Sequence, residues 1–171
     1  MKLKVIHTPI YNINLLALSQ RGKVSNSLTR TFMFTEESKY TTKNPTDQED
    51  WNKLTGIASL PFNSQKSSHM WAWRYYNNEF QIAPYSHKHN GNKILPIPGN
   101  IHIITIDTEF VVEIRIIPQG VFFTHYTHNS LAPGKGWLET NYLLPKDSYR
   151  IITSWFGGTS LPKKIVKIYG L

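Results

Sequence analysis

Cysteine is absent from the 171 residues. That excludes disulfide cross-links, thiolate metal sites and a cysteine nucleophile, and leaves packing alone to hold the fold. Long apolar runs are also missing. The longest stretch near the start, INLLALS, falls well short of the roughly 20 residues a spanning helix needs, and Pro9, Asn12 and Asn14 interrupt anything resembling a signal peptide. No membrane partner is expected, and no targeting signal gives a localisation. Acidic residues are scarce, eleven against nineteen lysines and arginines, for a net charge of +8. This balance favours an anionic glycan, an acidic protein face or nucleic acid as surroundings. The cations are scattered rather than clustered, so nucleic acid is the least favoured of the three. Neither a GxSxG elbow nor a phosphate-cradling GxxxxGK[ST] loop occurs. No repeat, low-complexity tract or linker divides the chain, so residues 1–171 are expected to form one domain.

What is present is period-two patterning. Alternating, β-branched and aromatic runs recur at 28–35, 68–76, 79–87, 101–106, 109–117, 120–127, 148–155 and 163–169. They are separated by turn residues such as NN at 77, PQG at 118 and FGG at 156. This rhythm predicts an all-β fold, an antiparallel β-sandwich or jelly roll with at most one or two short helices. A single helix start stands out at NPTDQEDWNKL, with Asn44 as cap, Pro45 at the first helical position and Asp47, Glu49 and Asp50 near the positive helix end.

The densest aromatic stretch, WAWRYYNNEFQIAPY at 71–85, reads as a hairpin around Asn77-Asn78. Tyr76 then faces Glu79, Arg74 faces Gln81 and Trp73 faces Ile82. Trp71, Trp73, Tyr75, Phe80 and Ile82 share one side and are expected in the core. Arg74, Tyr76, Glu79, Gln81, Tyr85, His87 and His89 share the other side, a polar face expected to meet solvent. The first six mix aromatic surface with donors and acceptors; Arg74, Tyr76, Glu79, Gln81, Tyr85 and His87 are the candidate ligand-binding set. A second hairpin, with Pro118, Gln119 and Gly120 as a three-residue loop, pairs Ile117 with Val121 and Glu113 with His125. It sends Phe110, Val112, Ile114, Ile116, Phe122 and Tyr126 inward and Glu113, Arg115, His125 and Thr127 outward.

Metal and catalytic signals are thin. His87 and His89 point the same way on a strand, but no third ligand lies nearby for zinc; His125 and His128 make a poor pair. Asp47, Asp50 and Asn52 offer oxygen ligands suited to calcium, and serve a helix start equally well. Glu79 and Glu113 both fall on polar strand faces and are candidates for glycoside hydrolysis, but neither sits in a dense acidic motif and each has a plausible cross-strand partner. No catalytic residue is assigned and no cofactor is implied.

Four segments carry a resemblance: DQEDWNKLTGIAS (47–59), SSHMWAWR (67–74), FQIAPYSHKHNG (80–91) and SWFGGTSLPKKIVKI (154–168). In this order they resemble the DQxDxNKLxG, SxRFGWR, AYxYxNG and YFGGxxxAPxxIxI stretches of a largely uncharacterised β-sandwich family of bacteria and bacteriophages. The segments and what lies between them span about two thirds of the chain. Trp71 and Ala72 replace the usual Phe and Gly, Met70 stands where Arg is common, and Trp155 replaces Tyr. The resemblance implies a concanavalin A-like jelly roll whose sheet face holds glycan. The expected function is a noncatalytic surface or virion structural module that contacts glycan or a neighbouring structural protein, with assembly into a larger particle. The alternatives are a carbohydrate-active hydrolase or lyase and a basic nucleic-acid-associated structural protein.

Overall fold

The computed structural model of the chain describes residues 2–7, 12–13, 27–59, 68–87, 93–96, 98–118, 120–127, 134–138, 149–152, 154 and 160–170. Its strands are β1 (Lys2–His7), β2 (Asn12–Ile13), β3 (Ser27–Met33), β4 (Asn52–Ser59), β5 (Ser68–Tyr76), β6 (Glu79–His87), β7 (Lys93–Ile94), β8 (His102–Ile104), β9 (Glu109–Ile117), β10 (Gly120–Thr127), β11 (Gly134–Leu138), β12 (Tyr149–Ile152) and β13 (Val166–Gly170). They form two antiparallel sheets packed against each other, an all-β sandwich. One sheet runs β11-β10-β9-β3-β13-β1-β2; the other runs β12-β4-β5-β6-β7, with β8 also paired to β6. Helix is confined to 3-10 turns among the described residues, and none is long and apolar enough to cross a membrane.

The core follows from alternation. Leu28 and Phe32 of β3, Phe110, Val112 and Ile114 of β9, and Val121 and Phe123 of β10 meet Leu54 and Ile57 of β4, Trp71 and Trp73 of β5, and Phe80 and Ile82 of β6. Phe34, just beyond β3, sits at the aromatic centre. Its ring stacks on Phe80 at 4.6 Å and lies 5.2 Å from Trp73 and 5.1 Å from Phe110. The β5–β6 hairpin has the expected register, Tyr76 opposite Glu79 through Trp73 opposite Ile82. Asn77 and Asn78 both take left-handed φ values, 52° and 63°, as a two-residue turn matched to strand twist requires. Trp71 and Trp73 are fully buried.

The helix expected from residue 44 is instead one 3-10 turn, Pro45–Asp47. Asn44 does cap it, accepting from the Thr46 amide. Propensity starts the turn, but the chain then needs to pair: Asn52–Ser59 is extended along β5, with a bulge between Lys53 and Thr55. Gln48 secures the bend. Its Nε2 donates to the carbonyls of Tyr40 (3.2 Å) and Tyr75 (2.7 Å), and its Oε1 accepts from the Thr42 amide (2.8 Å). Asn52 is buried and donates to the Tyr40 hydroxyl at 2.8 Å. Burial pushes that phenol up to about 12. Together these bonds hold residues 48–52 against the end of β5.

The second hairpin differs from expectation by one residue. Gly120 lies opposite Ile117, so it belongs to the strand rather than the loop and opens β10 with φ 151°. A one-residue change inverts the strand. Val121 and Phe123 are inside, while Phe122 turns outward beside Arg115, whose guanidinium carbon lies 5.2 Å from its ring centroid. Tyr126 is exposed and His125 faces inward toward Trp71. Tyr126 opposite Val111 and Phe122 opposite Arg115 are tolerable on an outer face; Val121 and Phe123 have no polar group to offer one. Strands β1, β2, β4, β7 and β11 fall outside the runs expected from patterning, and the FGG at 156–158 lies outside the described residues.

Candidate functional site

The outer face of β5 and β6 gathers the residues proposed from the hairpin. Arg74 and Gln81 are directly opposite, so their side chains meet: Arg74 Nε donates to Gln81 Oε1 at 2.8 Å. Gln81 in turn donates through Nε2 to Glu79 Oε2 at 3.3 Å. Arg74 Nη1 donates to the Glu49 carbonyl at 2.8 Å. Its guanidinium carbon lies 4.3 Å from the Trp51 ring centroid and 4.6 Å from that of Tyr76, both within cation–π range. The planar cation is therefore held along one edge and over two rings. Nη2 has no hydrogen-bond partner among the described residues. Burial pushes the Arg74 guanidinium down from its ordinary value, with Tyr76 and Glu49 acting the other way; an arginine stays charged under such a shift.

Tyr85 and His87 lie farther along β6 and have a different setting. Their rings are 5.0 Å apart. His87 is buried with Nδ1 3.3 Å from the Ser68 hydroxyl. Tyr85 packs on a small apolar cluster of Ala58, Met70 and Ile152. Ser68, Met70, Ala72, Gln81 and Ala83 are buried on this same face. The face is thus not the uniformly solvated polar surface expected: apolar side chains from β4, β5 and β12 cover its centre. Its accessible part is the hairpin-tip half, with Trp51, Arg74, Tyr76 and Glu79.

Trp51 escaped the sequence reading because it falls in the stretch assigned to a helix. The only signal available was the alternation Trp51-Asn52-Lys53-Leu54, which places Trp51 and Lys53 on the face away from Leu54. Lys53 stands opposite Ala72 on the outer face, half-buried; burial, then the charge of Lys93, pushes its ammonium down.

Among the described residues, no three His, Asp or Glu side chains group as metal ligands. Asn52, a calcium candidate beside Asp47 and Asp50, commits its amide to Tyr40. His89 and His128 lie outside the described residues. Glu79 and Glu113 are on outer faces of opposite sheets. Sheets pack about 10 Å apart, so the two carboxylates cannot flank one glycosidic bond at the separations that hydrolysis uses. Glu113 instead accepts from Thr124 Oγ1 at 2.9 Å and lies 3.5 Å from Arg115 Nε.

A second polar cluster lies inside the sandwich. The rings of His102 and His125 are 4.1 Å apart, and both approach Trp71, at 6.1 and 5.8 Å. Trp71 Nε1 donates to the Glu113 carbonyl at 3.1 Å. Burial pushes His102 below its ordinary value. The folded protein therefore binds a proton at His102 less readily than the unfolded chain does. Its contribution is present above pH ~6.5, the ordinary histidine value, and is lost as pH falls from there toward the lowered folded value. Urea denaturation at about pH 7.5 and about pH 5.5 should show this loss, and His102→Phe, which keeps a ring and removes the titration, should show a smaller one. Equal losses in the two proteins would mean that other groups carry the effect.

Comparison with family models, with curated proteins and with solved structures finds no match to this chain.

Proposed function

We propose that this protein is a noncatalytic β-sandwich module that binds a carboxylate-bearing glycan or an acidic protein side chain through the hairpin-tip half of the β5–β6 outer face. The observation that carries the reading is the preorganised guanidinium of Arg74. Two hydrogen bonds and two ring contacts fix its plane before any ligand arrives, and Nη2 is left to donate. An arginine held in this way loses little further rotamer entropy on binding, and its planar fork matches a carboxylate. Trp51 and Tyr76 supply apolar ring surface beside it, and Glu79 an acceptor for sugar hydroxyls, the mix that small polar ligands need. The family resemblance supports the same class and implies a virion or cell surface as its setting.

The test is an array of acidic and neutral glycans probed with the wild type and Arg74→Lys. Hydrogen bonds to charged groups contribute about 1.5–3 kcal/mol, so Lys, with charge but no planar fork, should weaken acidic-glycan binding by roughly tenfold or more, with a much smaller fall in melting temperature than Trp73→Ala. Equal binding by the two proteins would overturn the assignment.

A further inference from the structure

The short strand β8 reaches both sides of the sheet at the level of Arg74. His102 is opposite Ile82 and Ile104 opposite Phe80, so both point into the sandwich, whereas Ile103 is opposite Gln81 and points outward. Inside, the His102 ring lies 4.1 Å from that of His125 on the other sheet. His102 Nε2 is buried, with no hydrogen-bond partner among the described residues. Outside, Arg74, Gln81 and Ile103 form one row across β5, β6 and β8. Gln81, the acceptor for Arg74 Nε, is buried in that row between Arg74 and the largely exposed Ile103.

Among the described residues, no carboxylate or further cation faces the histidine pair from the strands packed on it. β5 presents Trp71 and β6 Ile82; β10 presents Phe123 beside His125, and β11 has glycines, Gly136 and Gly134, opposite these two. β9 contributes the Glu113 carbonyl that accepts from Trp71, while the Glu113 carboxylate is on the outer face with Thr124 and Arg115. The other inward-facing histidine of β5, His69, has its Nδ1 2.8 Å from the Ser86 hydroxyl.

We propose that β8 is an acid-released latch on the Arg74 site: protonation of the His102–His125 pair frees β8 from the sandwich, Ile103 no longer covers Gln81, and the carboxylate ligand is let go. This rests on the reading of Arg74 given above and adds its regulation. Neutral, the two rings pack as largely apolar surface. An imidazolium at His102 meets no carboxylate, and a second at His125 adds like-charge repulsion. Both are better solvated once β8 leaves, so acid shifts the population toward the released form. Burial lowers His102 from its ordinary value, which has the sign this linkage requires. Little resists release: β8 holds three residue pairs to β6 and one buried isoleucine, Ile104. Once it has gone, water reaches the Arg74–Gln81 bond from the β6 side, and Arg74 loses one of the contacts that preorganise it.

The experiment follows hydrogen exchange, corrected for intrinsic rates, and galacturonate affinity at about pH 7.5 and about pH 5.5, where an ordinary carboxylate ligand is ionised throughout. The proteins are the wild type, Arg74→Lys, His102→Phe and, as a second variant without the titrating group, His102→Leu. In the wild type, acid should strip protection from residues 102–104 and 80–82 but not from the β3–β9 ladder, and should weaken galacturonate about fivefold or more, the lower end of ordinary coupling between sites. Both changes should nearly vanish in the His102 variants. Protection at β8 that stays, or that falls together with β3–β9, overturns the latch. Release of β8 with affinity unchanged overturns its coupling to Arg74. Galacturonate affinity at about pH 7.5 indifferent to Arg74→Lys overturns the Arg74 reading itself, and the exchange result then still decides whether acid releases β8.

Discussion

Trp73→Ala should destabilise the protein by about 3–5 kcal/mol, the range for emptying a large aromatic from a packed core. The indole is fully buried, 5.2 Å from Phe34 and in edge contact with Tyr40 at 5.4 Å, and it stands opposite Ile82. Its neighbours include the rings of Phe34 and Tyr40, already packed, and the β-branched Ile82 opposite, which limit collapse into the gap. For a chain of this length each kcal/mol corresponds to about 2–4 °C in melting temperature. Thermal denaturation should therefore fall by roughly 6–20 °C, a large part of the stability of an ordinary domain. The contrast with Arg74→Lys is the informative comparison, since the two residues are neighbours on β5 but face opposite ways. If Trp73→Ala abolished ligand binding with the melting temperature intact, the tryptophans would be the binding platform and the assignment of faces would be reversed.

Gly56→Ala is expected to be nearly as damaging, although it adds a single methyl. A Cβ at Gly56 would meet the His69 carbonyl oxygen at 2.5 Å and the Met70 Cβ at 2.5 Å. Those are backbone and backbone-proximal atoms of the adjacent strand, so no rotamer change relieves the contact and β4 must move away from β5. Gly56 is paired on both sides, with Met70 of β5 and with Ile152 of β12. Moving it disturbs two ladders and the Ala58–Met70–Ile152 cluster at once. Overpacking of this kind costs about 1–3 kcal/mol, occasionally more, and chemical denaturation should place Gly56→Ala at or above the upper end. A loss below about 0.5 kcal/mol, the level of an ordinary surface substitution, would show that β4 separates from β5 freely.

Arg74 and Gln81 were placed together by counting outward from Asn77-Asn78, and the hydrogen bond between them is the direct result of that count. Asn is among the few residues that accept left-handed φ, so the pair marked the turn, and the turn set every cross-strand neighbour up to His87. Pro118-Gln119-Gly120 carried no such mark. Two- and three-residue loops both fit it, and the choice between them moved Phe122, Tyr126 and His125 to the other face.

The stretch at 44–54 failed for a different reason. Its capping signals are genuine and are used, for one turn. What ends the turn is the pairing of β4 with β5 and the Gln48 bonds to Tyr40 and Tyr75, partners 8 and 27 residues away in the chain. Trp51 beside Arg74 depends on that closure.

Local patterning by itself therefore determined the all-β class, the β5–β6 hairpin, the burial of Trp71 and Trp73 and the shared face of Arg74, Tyr76, Glu79 and Gln81. These depend on alternation and on a turn whose backbone conformation few residues accept, both of which act between neighbours. Only the tertiary structure decided that Trp51 stacks on Arg74, that Tyr85 and His87 are drawn under apolar cover, and that His102 meets His125. Each of these joins residues from strands whose order in the sheet is set by packing and long-range pairing, and no short-range preference along the chain encodes that order.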